Sequence, residues 1–297
     1  MKRRLLLLPL TLIGITLATF LLLHLAPGDP ATIRAGSGRG VTPESIAALR
    51  AEYGLDRPIA VRYAEWAARS LRFDFGRSFV DGRPVRARIA EALPATLGLA
   101  LFAVTLAYLL AVPLGCALAL GDGKPLARAA DVLLALAYAT PTVALAMGLL
   151  SIGAPWGGRG PAALLTAAAC LALTTLVRVS RHQRSALLGA LRADYVQTAR
   201  AKGGGPRQIL RHALVNALLP TVTLLGAELP ALLSGSILVE QVFGIHGLGL
   251  LAFDAVLQRD YPTLLGLTTL GAGLTLACVL LVDLAYGRLD PRLRGQA

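Results

Sequence analysis

Charge is scarce in this sequence. Only 15% of the 297 residues are charged, whereas 55% are hydrophobic and the mean hydropathy is +0.64. Soluble globular domains usually contain about 25% charged residues. The composition therefore excludes an ordinary soluble domain and favours an integral membrane protein.

Cysteine is scarce too, and Cys116, Cys170 and Cys278 all lie inside apolar runs. They form no CxxC pair and have no metal-ligand spacing, which excludes a disulfide framework and a zinc site. The four histidines are scattered along the chain and indicate no metal site either. They are His24, His182, His212 and His246.

The sequence also lacks the phosphate-binding motif G-x-x-x-x-G-K-[ST]. The segment GDGKP at 121–125 contains a Gly-Lys pair but has proline where a hydroxyl would bind magnesium. No Ser-His-Asp order or pair of carboxylates stands out in the apolar runs. We therefore expect no catalytic residue and no cofactor in this chain, and any energy from ATP must come from a partner.

Long apolar runs are what the sequence does contain. A bilayer core of about 30 Å requires roughly 20 helical residues. Runs of this kind predict an all-α integral membrane protein with six transmembrane helices. The predicted spans are residues 5–25, 95–120, 130–152, 162–177, 213–239 and 263–285.

The first run is longer than the apolar part of a signal peptide and ends in LAPGDP, so we expect a retained anchor. Prolines within spans are expected to kink them, at Pro113, Pro141, Pro220 and Pro230. Small residues predict close helix approach. They are Gly98, Gly115, Gly148, Gly226, Gly266, Gly271 and Gly273.

Residues 26–92 differ in character, with frequent charges, turn-forming residues and two modest helical patterns. Thr42 is suited to cap the first pattern and Pro43 to begin it. Aromatic residues are frequent for a linker, which predicts a small folded extramembrane segment. The predicted organisation is an anchor (1–25), an extracytoplasmic segment (26–92), a five-helix core (93–290) and a cytoplasmic tail (291–297).

The distribution of basic residues predicts the topology. With the N-terminus inside, the inside segments are rich in Lys and Arg, whereas the short outside loops contain only Arg159 and Arg259. Residues 26–92 are also basic, but loops longer than about 60 residues cross the membrane largely regardless of charge. Both termini are therefore expected in the cytoplasm. The same distribution explains the net charge of +12 without nucleic-acid binding.

The densest basic patch is the predicted cytoplasmic loop 178–212. Its apolar residues Leu188, Leu191, Tyr195 and Ala199 recur every three or four positions, which predicts one amphipathic helix over residues 185–202. Three glycines, 203–205, end that helix, and Pro206 is suited to begin the next. From these residues alone the loop either rests on anionic lipid or docks into a cytoplasmic protein.

The same loop carries a family resemblance. DYVQTARAKG (194–203) and RHALVNALLP (211–220) resemble the cytoplasmic loop of ABC importer permeases, most closely the peptide and nickel branch. LAPGDP, YGLDRPIAVRYAEW, FDFGRSFVDGRPV, LPATLGLA, GSILVEQVFGIHGLGLLAFDAVLQRDYP and LVDLAYGRLDPRLR resemble that family in the same order, over essentially the whole chain.

The general form of the loop motif has a Glu-Ala-Ala triplet four residues before a glycine. Here Gln197, Thr198 and Ala199 occupy the triplet, with Gly203 as the glycine, so the glutamate is absent, as is common in this branch. The chain departs from the family pattern at two places. The connection 153–161 is shorter than is usual in the family. Gly204 and Gly205 replace a less flexible corner.

The resemblance implies a type I ABC importer permease bundle in a bacterial inner membrane. The implied partners are a second homologous permease, two cytoplasmic ATPases that bind ATP and magnesium, an extracytoplasmic binding protein and membrane lipid. The implied ATPase-coupling residues are Asp194, Tyr195, Gln197, Thr198, Ala199, Arg200, Ala201, Lys202 and Gly203.

Glu228 is the one carboxylate that falls midway along a predicted span. Buried charge in a membrane is costly and often marks a pathway, so Glu228 either borders the translocation path or is a structural carboxyl bonded between helices. Asp131 and Asp283 are expected at span ends, near Arg128 and Arg288. Glu240 is an ordinary loop acid by sequence, whereas the resemblance suggests a structural or gating position.

The cargo stays open between peptides and a nickel or metal-chelator complex, because specificity in such systems largely belongs to the binding protein by family analogy. An ion-coupled secondary transporter is the other alternative. It usually has several intramembrane charges or interrupted helices in symmetric positions. Glu228 alone, without a visible internal repeat, argues against it.

Overall fold

The computed structural model describes residues 2–25, 28, 30–35, 42–151 and 161–289. The predicted short connection that precedes Pro161, the tail 291–297 and the surroundings of the Asp283 side chain lie outside the described part of the chain. Within the described ranges the only β-type pairing is an isolated antiparallel bridge between Arg77 and Pro84.

Thirteen helices occur among the described residues. They are α1 (Lys2–Leu25), α2 (Pro30–Ala35), α3 (Pro43–Glu52), α4 (Ile59–Ser70), α5 (Val85–Leu120), α6 (Pro125–Ala139), α7 (Thr142–Ser151), α8 (Pro161–Arg192), α9 (Asp194–Ala201), α10 (Pro206–Thr223), α11 (Leu225–Phe243), α12 (Leu248–Leu257) and α13 (Tyr261–Leu289).

Five stretches in the described residues are long and apolar enough to cross a membrane, and up to seven if each of two bent helix pairs is one span. The five are Leu7–Leu25, Val85–Leu120, Ala163–Arg192, Pro206–Glu228 and Tyr261–Leu281. The predicted all-α membrane fold is therefore confirmed. The orientation of its ends stays a prediction.

Two predicted spans are interrupted in the structure. In the span predicted at 130–152, the kink expected at Pro141 is a full break, because α6 and α7 meet at 91° around Thr140 and Pro141. Proline disfavours helical backbone at the residue before it, and Thr140 is extended, with ψ at 120°. The predicted span 213–239 is divided at Leu224 between α10 and α11.

One helix is longer than predicted, and another was not predicted. The predicted span 162–177 is too short, because α8 continues to Arg192. Its polar second half is helical since several of those side chains find partners on other helices, as described below. Helix α12 was not predicted, and it begins at Leu248 after Gly247.

The chain divides into two compact units. The first unit contains Met1–Thr96 and Gly244–Ala277, and the second contains Leu97–Phe243 and Cys278–Ala297. Each is described separately below.

In the first unit, a buried acid joins the predicted extramembrane segment to the start of α13. Asp260 accepts hydrogen bonds from the Ser78 hydroxyl (2.5 Å), the Phe79 backbone N–H (2.9 Å), Arg88 (2.8 Å) and the Thr263 hydroxyl (2.7 Å). In the same unit, Phe20 of α1, Trp66 of α4 and Leu265 of α13 form an apolar cluster. The segment is thus folded, as predicted.

The predicted helix start at Thr42 is also confirmed. The Thr42 hydroxyl accepts a hydrogen bond from the Ser45 backbone N–H, while the Ser45 hydroxyl accepts one from the Thr42 N–H. This reciprocal arrangement satisfies two donors that the first helical turn leaves free. Pro43 occupies the first helical position, where it has no N–H to leave unpaired.

Close helix approach is confirmed at two of the predicted glycines. A Cβ at Gly115 would lie 2.5 Å from the Ser180 backbone oxygen, so α5 and α8 require glycine there. A Cβ at Gly266 would lie 2.8 Å from Val85 Cγ1. Among the described residues nothing lies within 4 Å of the corresponding position at Gly98, Gly148, Gly271 or Gly273, so the structure shows no close approach at those four.

Candidate functional site

The candidate site is the polar segment 192–212, which links α8 to α10 through the short helix α9. The prediction of one amphipathic helix over 185–202 is wrong. Ala193 has extended backbone, with φ −70° and ψ 151°, so α8 ends at Arg192 and α9 begins anew at Asp194.

The break at Ala193 changes which residue of α9 faces the protein. Tyr195, which the continuous periodicity placed on the apolar face, is 41% exposed, whereas its neighbour Val196 is fully buried. Val196 packs in a cluster with Ala119, Leu187, Ala213 and Ala217. A single apolar residue thus anchors α9 to α5, α8 and α10 in the second unit.

The nine predicted coupling residues form the outer surface of α9 and of the turn that follows it. Ala199 is half-buried, and the others are exposed. The exposed residues are Asp194, Tyr195, Gln197, Thr198, Arg200, Ala201, Lys202 and Gly203. The structure therefore places all nine on one short element that is open to contact.

Glycine ends α9 through a defined backbone motif. Gly203 has a φ of +80°, which L-residues with a Cβ rarely adopt. The Gly203 N–H donates to Arg200 O (2.9 Å) and the Gly204 N–H to Ala199 O (3.0 Å). These two bonds form a Schellman motif, which pairs the last free carbonyls of a helix. Gly205 then precedes Pro206, which begins α10 as predicted.

An arginine on α8 binds two acids from neighbouring elements. Arg184 donates to Asp131 on α6 and to Asp122 in the turn after α5, the latter at 2.7 Å. The bond from Arg184 lowers the pKa of the exposed Asp122 carboxyl. Asp131 was expected near basic neighbours such as Arg128, and its basic partner in the structure is Arg184 of α8.

Polar side chains also connect α8 to α10. Gln183 is fully buried, and its Oε1 accepts a hydrogen bond from the Thr221 hydroxyl at 2.7 Å. Its Nε2 donates to Cys116 Sγ at 3.6 Å. A buried amide with partners on both sides fixes the register of the helices that it joins. The Gln183–Thr221 bond holds α8 to α10, the helices that precede and follow α9 in the chain.

Glu228 is buried and paired. Its Oε2 accepts from Arg178 at 2.6 Å and from the Thr175 hydroxyl at 3.0 Å. Glu228 is 4% exposed, whereas the Arg178 side chain is 44% exposed. The geometry is that of a carboxyl bonded between α8 and α11.

Sequence reasoning missed Arg178 and Arg184 as partners. Arg178 was read as the first residue of a cytoplasmic loop, although it follows an apolar run without any turn-forming residue. The available signal was that Thr175 and Arg178 lie three residues apart, on one face of a helix, and that Glu228 lies within another apolar run and needs a partner. Glu240 was also misread, because it is fully buried within α11 and is no loop acid.

In the described part of the chain, no group of three His, Cys, Asp or Glu side chains is arranged to hold a metal ion. The candidate site contains surface for contact and buried polar pairs that join helices. Such an arrangement can bind a partner and move with it.

Two family models match the chain. The model described as "Binding-protein-dependent transport system inner membrane component" matches residues 111–295, and its N-terminal companion matches residues 1–100.

Curated relatives match over nearly the whole length. A probable peptide ABC transporter permease protein from Sinorhizobium fredii is 34% identical, over 93% of this chain and 92% of its own. The dipeptide transport system permease protein of Escherichia coli K12 is 35% identical, over 96% of this chain and 95% of its own.

A solved structure shares the fold. A chain from the crystal structure of an amino acid ABC transporter with histidines aligns with a TM-score of 0.57 and 22% identity. The alignment covers 68% of this chain and 94% of that chain. At this identity the match concerns architecture alone.

Proposed function

The chain belongs to the family of binding-protein-dependent transport system inner membrane components, and from this premise we propose that it is the permease subunit of an ATP-driven peptide importer. The relatives named for peptide and dipeptide transport match it over nearly its entire length. A nickel or metal-chelator cargo carried by the same fold is the alternative.

The chain acts with partners. A second homologous permease completes the translocation path, two cytoplasmic ATPases bind ATP and magnesium, and a binding protein delivers the peptide from outside. The lack of a phosphate-binding motif in the sequence supports this division of labour. The permease itself performs no covalent chemistry and has no bound cofactor.

Helix α9 is the element that docks onto an ATPase. The observation that carries this proposal is the contrast within α9 between Val196, which is fully buried, and the exposed residues that surround it. An eight-residue helix whose outer surface is free, and whose inner side contacts α5, α8 and α10, is suited to pass a displacement to those helices.

Coupling then operates as a shift between two conformations. ATP binding brings the ATPases together, α9 moves with its docking cleft, and the contacts of Val196 carry the movement into the membrane helices. A partner shifts such an equilibrium only by as much as its contacts differ between the two states. Energy is therefore transmitted only while α9 keeps both its outer and its inner contacts.

Glu228 and Arg178 border the path in this proposal. An arginine that is 44% exposed on a membrane-spanning helix does not face lipid without a large free-energy cost. The guanidinium therefore faces a partner helix or a water-filled path, and Glu228 holds it in position. This assignment makes Arg178 accessible to the cargo while Glu228 stays buried.

The docking role is tested by placing a negative charge on α9. In a co-purified complex reconstituted into liposomes, Ala199→Asp should lower peptide uptake by about tenfold or more, equivalent to about 1.4 kcal/mol of lost coupling energy. ATP hydrolysis should continue, and the amount of assembled complex should not fall. The matched control is Ala48→Asp, at an exposed alanine of α3. Coupled uptake at the normal rate in Ala199→Asp would refute the docking role.

A further inference from the structure

Helix α4 and the turn after it carry an exposed apolar surface that the proposed function does not use. Leu71 is 84% exposed and Phe73 is 73% exposed. Ala60, Ala64 and Ala68 are exposed as well, and their spacing of four residues places them in one row along α4 that leads to Leu71. We call these five residues the α4 surface.

The turn holds Phe73 in a conformation that favours glycine. Its φ is +57°, in the left-handed region. The Phe73 N–H donates to Ser70 O (2.9 Å) and the Asp74 N–H to Arg69 O (3.2 Å). This is the Schellman motif that also ends α9, where Gly203 occupies the same place. In water the ring would add the cost of exposed apolar surface to the backbone strain, which indicates a surrounding other than water.

The inner side of α4 packs against a membrane-spanning helix. The Tyr63 hydroxyl donates to the Ile13 backbone oxygen at 3.3 Å and lies 3.1 Å from the Thr16 hydroxyl oxygen. Both residues of α1 lie within the apolar span Leu7–Leu25. Thr16 lies midway along that span, about 14 Å from its end at 1.5 Å per residue. Tyr63 therefore reaches into the level of the hydrocarbon core.

Two further contacts place the rest of the segment at a similar level. Trp66 packs against Phe20, which also lies within the span of α1. Phe75, just after the turn, packs against Gly266 in the span Tyr261–Leu281 of α13, where a Cβ would lie 3.2 Å from Phe75 Cγ. Helix α4 and its turn thus lie beside membrane-spanning residues of two helices, and their exposed side is next to the lipid that surrounds those spans.

Another side of α4 is charged. It contributes to a cavity of about 870 Å³ in the first unit, whose lining includes five arginines and three acids. These residues are Arg57, Arg62, Arg69, Arg77, Arg86, Glu52, Glu65 and Asp74. So many charges suit water and not lipid. A helix with a charged side toward water and an apolar side toward lipid is typical of the membrane interface.

Charge also limits how deeply the turn can enter the membrane. Arg72 lies between Leu71 and Phe73 and is exposed. A long arginine side chain keeps its apolar stem among hydrophobic groups while the guanidinium reaches the headgroups. The turn is therefore suited to the boundary between headgroups and acyl chains.

We propose that α4 and the turn 71–73 lie in the interfacial region of the bilayer, with Leu71 and Phe73 inserted among the acyl chains. With the N-terminus of α1 in the cytoplasm, as predicted, this is the outer leaflet. The partner of the α4 surface is phospholipid, which anchors the predicted extramembrane segment along α4. The inference depends on the membrane fold alone and not on the cargo or the ATPases.

The test measures how brominated phospholipids quench one added tryptophan in the full chain in lipid nanodiscs. The added fluorescence of Leu71→Trp, Phe73→Trp and Ala64→Trp should fall about twofold, and bromines near the carbonyl end of the acyl chain should quench more than bromines near the methyl end, because interfacial helices are buried only about 5–10 Å. The two native tryptophans are common to all samples, so the signal of the unchanged chain is subtracted.

The matched control is Glu65→Trp, at the exposed residue next to Ala64 that lines the cavity. Its added fluorescence should ignore bromine and should be quenched by acrylamide from the water phase. All four positions are exposed, so the variants should fold like the unchanged chain, which circular dichroism checks. Equal quenching of Ala64→Trp and Glu65→Trp by bromine would overturn the proposal. Quenching of Leu71→Trp and Phe73→Trp by acrylamide but not by bromine would overturn it too.

A second measurement separates lipid from a protein partner. Addition of the extracytoplasmic binding protein should leave the bromine quenching of Leu71→Trp and Phe73→Trp unchanged. If these tryptophans ignore bromine and become protected from acrylamide only when that protein is added, the α4 surface docks the protein and the lipid assignment is wrong.

Discussion

Four donors converge on Asp260, the fully buried acid at the start of α13. Three of them, from Ser78, Phe79 and Arg88, lie more than 170 residues away in the sequence. Asp260 thus connects the extramembrane segment to the helix that follows α12. These bonds hold the extramembrane segment against the start of α13.

Replacing Asp260 by asparagine should destabilise the first unit strongly. The change removes the main counter-charge of Arg88, which is only 17% exposed and whose other acidic partner, the exposed Asp81, lies at 3.5 Å. Breaking a buried pair costs about 3–5 kcal/mol, and the residual contact favours the lower end. Trypsin cleavage of the segment 42–96 in the folded chain should accelerate.

The control for Asp260→Asn is Glu65→Gln, which removes the exposed pair with Arg57. Pairs of this kind contribute about 0–1 kcal/mol, so the cleavage rate should hardly change. Equal sensitivity of the two variants would show that Asp260 does not hold the segment together.

Glu228→Gln tests the buried pair in the second unit. Glutamine keeps the shape but leaves Arg178 without its counter-charge, and a charged hydrogen bond contributes about 1.5–3 kcal/mol. If the pair borders the path, uptake should fall while the amount of assembled complex stays constant. Restoration of uptake in the Arg178→Gln, Glu228→Gln double variant would assign the pair to structure only.

Single residues show how far the sequence could be interpreted. The capping by Thr42 and the positive φ of Gly203 were predictable because both depend on local backbone geometry. The charged partners of Glu228, Asp131 and Asp260 were not, because each of these arginines lies at least 50 residues away and pairing follows from helix packing. A sequence shows that a buried charge needs a partner, but packing decides which one.

Helix packing supplies a test at the scale of elements. Gly115→Ala should separate α5 from α8, because the added Cβ would meet Ser180 O at 2.5 Å, and overpacking costs about 1–3 kcal/mol. The measurement is the thermal unfolding midpoint of the purified chain. Gly98→Ala on the same helix is the control, since nothing lies within 4 Å of it. Equal midpoints would mean that the α5–α8 contact does not require glycine.

Helix boundaries follow the same distinction between local and distant causes. The start of α10 at Pro206 was predicted, since proline and the glycine corner determine it locally. The break at Ala193 was not, because no proline or glycine marks it and the apolar spacing from Leu188 to Ala199 continues across it. The burial of Val196 in place of Tyr195 follows from the cluster formed by α5, α8 and α10.

At the scale of the whole molecule, composition was sufficient for the membrane class and the motifs for the family, because both signals extend along the chain. The matches at 1–100 and 111–295 cover the same stretches on which the resemblance was based. The number of spans was less predictable, since proline can either kink a membrane helix or break it. Pro113 lies within the continuous helix α5, whereas Pro141 separates α6 from α7.

The measurement that most directly tests the account is peptide uptake by the reconstituted complex under two energy sources. With ATP and the loaded binding protein but without an ion gradient, uptake should proceed and should stop when hydrolysis is blocked. With an imposed proton or sodium gradient and no ATP, uptake should be absent. Uptake that follows the ion gradient and ignores ATP would contradict the assignment of this chain to an ATP-driven importer.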